Sequence, residues 1–260
     1  MLKGIQRMNQ LVKKRVLVTG GASGIGEAIV RELTDLGAQV IIHYYKSSES
    51  AKNLADEINK SGGEAHIFQA DLTKEEEVKK LFQYVEQLWH GLDVLVNNSG
   101  DLCGRMAMEN MEMDFYRKVV AVNLDSMVMV IRDAIPLLKK NKASSIVNLS
   151  SLAGRKGGHG GSIIYSTAKG GVLTLTRSLS TELAGYGIRV NAVAPGLILG
   201  SKFHATYTTE ESKNKTINEI PLGRAGVCED VARAVAFFAS EYDGFITGAT
   251  LDINGGVYMA

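Results

Sequence analysis

Seven short runs rich in β-branched residues, separated by longer stretches of helical periodicity, constrain the fold of this chain more than anything else in it. The runs are RVLVT (15–19), AQVIIHY (38–44), AHIFQA (65–70), LDVLVNN (92–98), SSIVNLS (144–150), IRVNAVA (188–194) and ATLDI (249–253). Between them the periodicity predicts helices over 24–36, 47–61, 74–90, 111–140, 164–185 and 228–240, with a smaller one in 203–219. Strands alternating with helices build βαβ units and a mostly parallel sheet. Runs such as VLVT and VLVN lack the apolar–polar alternation of a half-exposed strand, as expected when helices cover both faces of the sheet.

The first run leads directly into TGGASGIGEAI. Gly20, Gly24 and Gly26 fall where a backbone has to turn tightly, approach a phosphate and let a helix pack on the sheet. A helix opening near Gly24 points its free amides and the positive end of its dipole at such a phosphate. Glycine clusters are common in tight turns, but this one follows a first strand, opens a helix and begins a βαβ unit, the context a dinucleotide requires. The expectation is a single-domain doubly wound (Rossmann) α/β fold, a seven-stranded mostly parallel sheet with helices on both faces. A dinucleotide would lie against Gly20, Ser23, Gly24, Ile25 and Gly26.

With 260 residues the chain is long enough to bury a large core without disulfides. A formal charge of +1, from 29 basic and 28 acidic residues, leaves no net field to attract nucleic acid or an anionic membrane surface, so neither is an expected partner. Cys103 and Cys228 have no metal-ligand spacing around them; they read as free thiols of a cytoplasmic protein, and no metal is expected. No run reaches the roughly 20 apolar residues of a membrane span. Residues 1–13 read as an N-terminal tail, with Met8 an alternative start, and 14–260 as one domain carrying a substrate loop at about 197–220.

In GGHGGSIIYSTAKGG (157–171), Tyr165 and Lys169 stand four positions apart in a helical stretch, which returns both to one helix face. Together with the spacing Thr19-Gly20-x-x-x-Gly24-x-Gly26, this pair resembles the short-chain dehydrogenase/reductase family. NNSG (97–100), VNL (122–124), NLSS (148–151), APG (194–196) and ITGATLDINGGVYM (246–259) also stand in that family's order. The resemblance spans residues 14–259 and is greatest to bacterial 3-oxoacyl-(acyl-carrier-protein) reductases. It implies an enzyme that interconverts a ketone and a secondary alcohol by hydride transfer with a nicotinamide dinucleotide.

The resemblance makes Asn123, Ser151, Tyr165 and Lys169 the catalytic set. A phenol with a pKa of about 10 is a weak base at neutral pH, and a neighbouring cation favours its ionised form. On this reading Lys169 lowers the pKa of Tyr165, the general acid/base, and by resemblance it also holds the nicotinamide ribose. Ser151 is implied as the hydrogen-bond donor to the substrate carbonyl. Ser150 competes with it, because adjacent strand residues face opposite ways and only one points into a site; motif position favours Ser151. Asn123, a poor helix former inside VVAVNLDSMV, is implied to hold water in a proton relay.

Further cofactor contacts implied are Asp71 and Leu72 after the third strand, Asn98 and Gly100 after the fourth, and Pro195, Gly196 and Ile198 after the sixth. For Asp71 the alternative is an N-cap for the helix beginning near Lys74. The hydroxyl that usually follows the PG motif is missing, since PGLILGS offers Gly200 and only then Ser201. An acid at the end of the second strand would bond the 2′-hydroxyl of NAD, whereas the 2′-phosphate of NADP needs a cation and no acid. Tyr44 stands there and Lys46 follows, which favours NADP; Ser23, where NADP-preferring relatives carry Arg or Lys, keeps NAD open.

A small-molecule carbonyl or alcohol is the expected substrate, and an acyl carrier protein is a further candidate partner. Asn141 and Tyr186 occupy positions where acyl-carrier-binding relatives are expected to carry arginines, with Lys139, Lys140 and Lys142 in partial compensation. A sugar, polyol, steroid or xenobiotic carbonyl therefore stays open. The intact Asn-Ser-Tyr-Lys set counts against a non-catalytic dinucleotide sensor. The resemblance also implies a homotetramer, for which Gly170 and Gly171 would permit close helix packing.

Overall fold

In the computed structural model, which describes residues 11–200, 209–240 and 244–260, the seven runs form one sheet. They are β1 (Arg15–Thr19), β2 (Gln39–Tyr44), β3 (Glu64–Gln69), β4 (Val94–Asn97), β5 (Ser144–Leu149), β6 (Ile188–Pro195) and, after two short strands, β9 (Thr250–Ile253). The order is β3-β2-β1-β4-β5-β6-β9, with every pairing parallel. Parallel neighbours require crossovers, which are supplied by α1 (Gly24–Asp35), α2 (Ser48–Lys60), α3 (Glu75–Trp89), α4 (Met113–Val120), α5 (Ser126–Leu138), α7 (Ile163–Leu183) and α9 (Cys228–Ala239).

Strand residues alternate between two cores. Val16 and Val18 pack with Ile29 and Leu33 of α1 and Val231 and Val235 of α9, whereas Leu17 between them packs with Leu81 and Val85 of α3 and Val130 of α5. Both cores are apolar, which is why VLVT shows no polar face. Truncating a residue such as Leu17 to Ala would cost about 2–5 kcal/mol.

Some features depart from the sequence reading. The helix expected over 111–140 is two helices joined by a π turn, Ala121–Asp125, with Asn123 at its centre. Leu11, inside the segment read as a tail, is 1% exposed within a core, and the Lys13 N–H bonds the Gly37 carbonyl at 2.9 Å. A short helix, α6 (Leu152–Lys156), follows β5, and a ribbon pairs β7 (Ile198–Leu199) with β8 (Gly226–Val227). The helix expected in 203–219 is α8 (Glu210–Glu219). Positions 201–208 of the substrate loop, including Ser201, lie outside the described residues.

Gly170 and Gly171 pack inside the chain. A Cβ on Gly170 would lie 3.5 Å from the Gly154 carbonyl oxygen, and one on Gly171 would lie 3.3 Å from a Leu124 methyl group. Each therefore has a packing partner within the chain. Among the described residues no helix is long and apolar enough to cross a membrane.

Candidate active site

From β1 the chain builds outward to β3, then returns to place β4 on the other side of β1. At that reversal a cleft of about 660 Å³ opens beyond the carboxyl ends of the strands. Its floor is the glycine turn. Gly20 (φ +63°) and Gly24 (φ +55°) hold left-handed conformations that residues with a Cβ rarely adopt. At Gly26 the demand is steric, because a Cβ would collide with the Gly20 carbonyl oxygen. Ser23 precedes α1 without capping it through its side chain, and it lines the cleft with Gly24, Ile25 and Gly26. The turn is thus shaped to bring helix-terminal amides against a phosphate, and the residues present fit a dinucleotide.

Asn98 holds the turn from β4. Its amide donates to the carbonyls of Thr19 and Gly20, both at 3.0 Å. The Thr19 hydroxyl in turn accepts the N–H groups of Asn98 (3.0 Å) and Ser99 (3.1 Å). Asp71 and Leu72 form the opposite wall. The Asp71 carboxylate accepts from the N–H (3.0 Å) and hydroxyl (2.6 Å) of Thr73, so it shapes the turn into α3, whose N-cap is Lys74. Pro195, Gly196 and Ile198 close the third wall.

Tyr44 does not line the cleft. It is 8% exposed within a core, with its hydroxyl 3.4 Å from that of Ser48. Consecutive side chains at a strand end point to opposite sides, and it is Tyr45 that faces the cleft. The Lys46 ammonium sits 5.1 Å from the centre of the Tyr45 ring, and both line the cleft mouth.

The same alternation separates Ser150 from Ser151. The Ser150 hydroxyl turns inward and donates to the Lys169 carbonyl at 2.7 Å. Ser151 caps α6, accepting the Ala153 N–H at 3.1 Å, and shares a hydrogen bond with the Tyr165 hydroxyl. One turn further along α7, the Lys169 ammonium lies 5.9 Å from the centre of the Tyr165 ring and donates to the Leu149 carbonyl at 2.8 Å. Ser151, Tyr165, Lys169 and Gly100 all line the cleft.

Asn123 is fully buried and stands behind that surface. Its Oδ1 accepts the Asp101 N–H at 3.1 Å, while Nδ2 donates to the carbonyls of Asp101 (2.7 Å) and Val119 (2.9 Å). The π turn delivers this amide to the loop after β4, and such turns gather at functional sites. A Cβ on Gly100 would lie 2.8 Å from Asn123 Oδ1 and 3.1 Å from Lys169 Nζ, so the two polar groups approach across the space that glycine leaves.

The electrostatics differ from the expectation that Lys169 lowers Tyr165. The Tyr165 ring is partly exposed at the cleft, yet protein surrounds it closely, and burial pushes its phenol up to about 12. The bond from Ser151 opposes that rise and the Asp101 charge adds to it. Burial also brings Lys169, 3% exposed, down to about 8. Desolvation disfavours the charged form of each group, and it dominates both shifts. His43 is a cleft residue the sequence pattern concealed, because it occupies an apolar slot of β2.

A parallel sheet with a glycine-turn cleft at its reversal point, and a serine, tyrosine and lysine gathered inside it, defines a Rossmann-type oxidoreductase acting between C=O and CH–OH with a nicotinamide dinucleotide. Residues 20–258 match the family described as Enoyl-(Acyl carrier protein) reductase. The chain is 38% identical over 246 residues to the 3-oxoacyl-(acyl-carrier-protein) reductase FabG of Staphylococcus aureus, covering 95% of this chain and 98% of that protein. It is 39% identical over 250 residues to FabG of Aquifex aeolicus, covering 96% and 99%. Among solved structures, the NADH-dependent reductase A1-R' responsible for alginate metabolism superposes with a TM-score of 0.89 at 34% identity, covering 97% of this chain and all of that one (100%). The chain belongs to the short-chain dehydrogenase/reductase family.

Proposed function

We propose that this enzyme is an NADP(H)-dependent reductase of a small-molecule ketone, with Tyr165 as proton donor, Ser151 as carbonyl ligand, Lys169 as the cation beneath both and Asn123 as the clamp of the relay. The observation that carries the reading is the hydrogen bond between Ser151 and Tyr165, with the Lys169 ammonium on the same helix face, in one cleft with the glycine turn. A bound nicotinamide dinucleotide supplies the hydride. Reduction places developing negative charge on the substrate oxygen, and two adjacent hydroxyls in the cleft can stabilise it there. A phenol held at about 12 is protonated at neutral pH, which is the state that carbonyl reduction consumes. Asn123 holds the Asp101 backbone, and with it the loop beside Tyr165, in position.

Lys46 at the cleft mouth, with no acid at the end of β2, supports NADP over NAD. The substrate reading favours a free small molecule. Asn141 is committed to Arg15 (2.6 Å) and the Leu92 carbonyl (2.6 Å), Lys139 stacks on Tyr186 at 3.4 Å, and Lys140 pairs with Glu86 at 2.7 Å. Lys142 stays exposed beside them, so the cationic surface there for an acidic carrier is reduced rather than removed. The second reading, a 3-oxoacyl group on acyl carrier protein, is favoured by the 38% identity to FabG. A cytoplasmic homotetramer fits two separate sets of exposed apolar side chains, Met113, Tyr116 and Val128 on α4–α5 and Phe237 and Leu251 on α9–β9, because such a tetramer needs two self-complementary faces.

The test follows NADPH and NADH absorbance with sugar, polyol-derived, steroid and 3-oxoacyl thioester ketones. Oxidation of NADPH by a free ketone is the expected result. Nucleotide binding without turnover of any carbonyl overturns the reading in favour of a sensor, and turnover confined to carrier-linked thioesters selects the second reading.

A further inference from the structure

The last-but-one residue of β2 carries a buried imidazole. His43 is 2% exposed and sits in the cleft wall between the glycine turn and the loop after β3. The Gly20 N–H donates to Nδ1 at 3.1 Å. This leaves the ring proton on Nε2, which donates to the Ala70 carbonyl 3.0 Å away. Backbone bonds tie the same three segments on either side, Gly21 N–H to the His43 carbonyl at 2.9 Å and Ala70 N–H to the Tyr44 carbonyl at 3.0 Å.

Each part of this arrangement has a reason. At φ +63° the Gly20 amide turns back toward β2, where His43 is its acceptor among the described residues, and a buried N–H without a partner is rarely tolerated. A side chain at position 43 has to accept from that N–H. To bridge to β3 it has to donate to Ala70 from an atom farther out. A neutral imidazole does both at fixed spacing, provided the proton is on Nε2. The other tautomer would set Nδ1–H against Gly20 N–H, and the cation is disfavoured because burial holds the ring at about 4.

We propose that His43 is a positioning residue of the nucleotide site: its Nε2–H tautomer spans the glycine turn and the loop after β3, setting the separation of the two walls that receive the adenosine diphosphate end. This rests on the reading of the cleft as a dinucleotide site. Gly20 precedes the amides of Ser23, Gly24 and Ile25, and Ala70 precedes Asp71 and Leu72. The ring thus links the phosphate-facing and adenine-facing segments without needing to touch the nucleotide itself.

The experiment compares the parent protein with His43→Phe, His43→Asn and His43→Gln. Phe keeps the volume and loses both bonds, Asn keeps an acceptor near the Nδ1 position, and Gln reaches only as far as Nε2. Titration calorimetry with NADPH and NADH should show at least about tenfold weaker binding for His43→Phe, the order of effect expected from losing the two buried hydrogen bonds of the ring. His43→Asn should recover most of that loss at comparable thermal stability, and bind more tightly than His43→Gln. Imidazole ¹⁵N shifts, identified by their absence in His43→Asn, should report Nε2–H in the parent at neutral pH.

Parent-like affinity in His43→Phe, no advantage of Asn over Phe, or a proton on Nδ1 overturns the proposal. Should His43→Phe fail to fold, the order of Asn and Gln decides it. A parent protein that binds neither nucleotide overturns the reading of the cleft instead. That outcome is separate from a parent that binds and variants that bind equally well.

Discussion

Gly154 in α6 presses its backbone against Lys169 in α7 so closely that a Cβ on it would fall 2.6 Å from the Lys169 carbonyl carbon and 2.7 Å from its oxygen. That oxygen also accepts the Ser150 hydroxyl, and α6 carries Ser151 at its N-cap. The contact therefore sets the distance from the serine to the tyrosine and lysine. Gly154→Ala has to part the two helices, because backbone atoms on both sides cannot rotate away. A misplacement approaching 1 Å costs about 10²-fold in rate. Steady-state kinetics should show that loss in kcat, with nucleotide affinity by calorimetry much less affected; unchanged turnover would show that α6 does not position Ser151.

Tyr165→Phe removes the proton donor and the partner of Ser151 while leaving the ring. Turnover should fall by about 10²–10⁴, the range for losing a general acid, and NADPH should still bind. Near-parent activity in this variant would assign the proton transfer to another group.

Lys46→Ala should raise the Kd for NADPH about tenfold and leave that for NADH nearly unchanged, as expected for loss of one cation facing a 2′-phosphate. Equal losses for both nucleotides would return Lys46 to an ordinary solvated charge.

His43 makes stability depend on pH in a defined direction. The ring titrates at an ordinary 6.5 when the chain is unfolded and at about 4 in the fold, because of burial, against weaker opposing pulls from the Ala70 carbonyl and Asp71. Below 6.5 the unfolded chain takes up a proton that the native state refuses, so stability declines as pH falls from 6.5 toward 4 and is fully present above 6.5. The single group accounts for on the order of 3 kcal/mol. Denaturant titrations at pH 7 and pH 4.5 should give a shallower dependence for His43→Asn than for the parent. Parallel curves would mean that the imidazole is not buried as a neutral ring.

Much of the site was legible from short-range rules. Tyr165 and Lys169 share a face because four helical residues return to it, Ser150 and Ser151 diverge because a strand alternates, and Gly24 opens a helix after a strand. Asn123 stood out as a misfit in a helical pattern, and the helix does break there into a π turn. The same rules failed at Tyr44, which lies just where β2 ends and the alternation hands the cleft to Tyr45. His43 was passed over because an imidazole in an apolar slot carries no local sign of its distant partners Gly20 and Ala70.

The order of strands and helices, the glycine turn and the one-turn spacing of phenol and amine were determined by the sequence alone, since each depends on backbone periodicity or on a missing Cβ within a few residues. Only the tertiary structure decided that Gly170 meets Gly154, that Asn141 is spent on Arg15, and that Tyr165 is raised when its neighbour was expected to lower it. Packing partners and the loss of water around a charge come from segments far apart in the chain, and no local pattern encodes them.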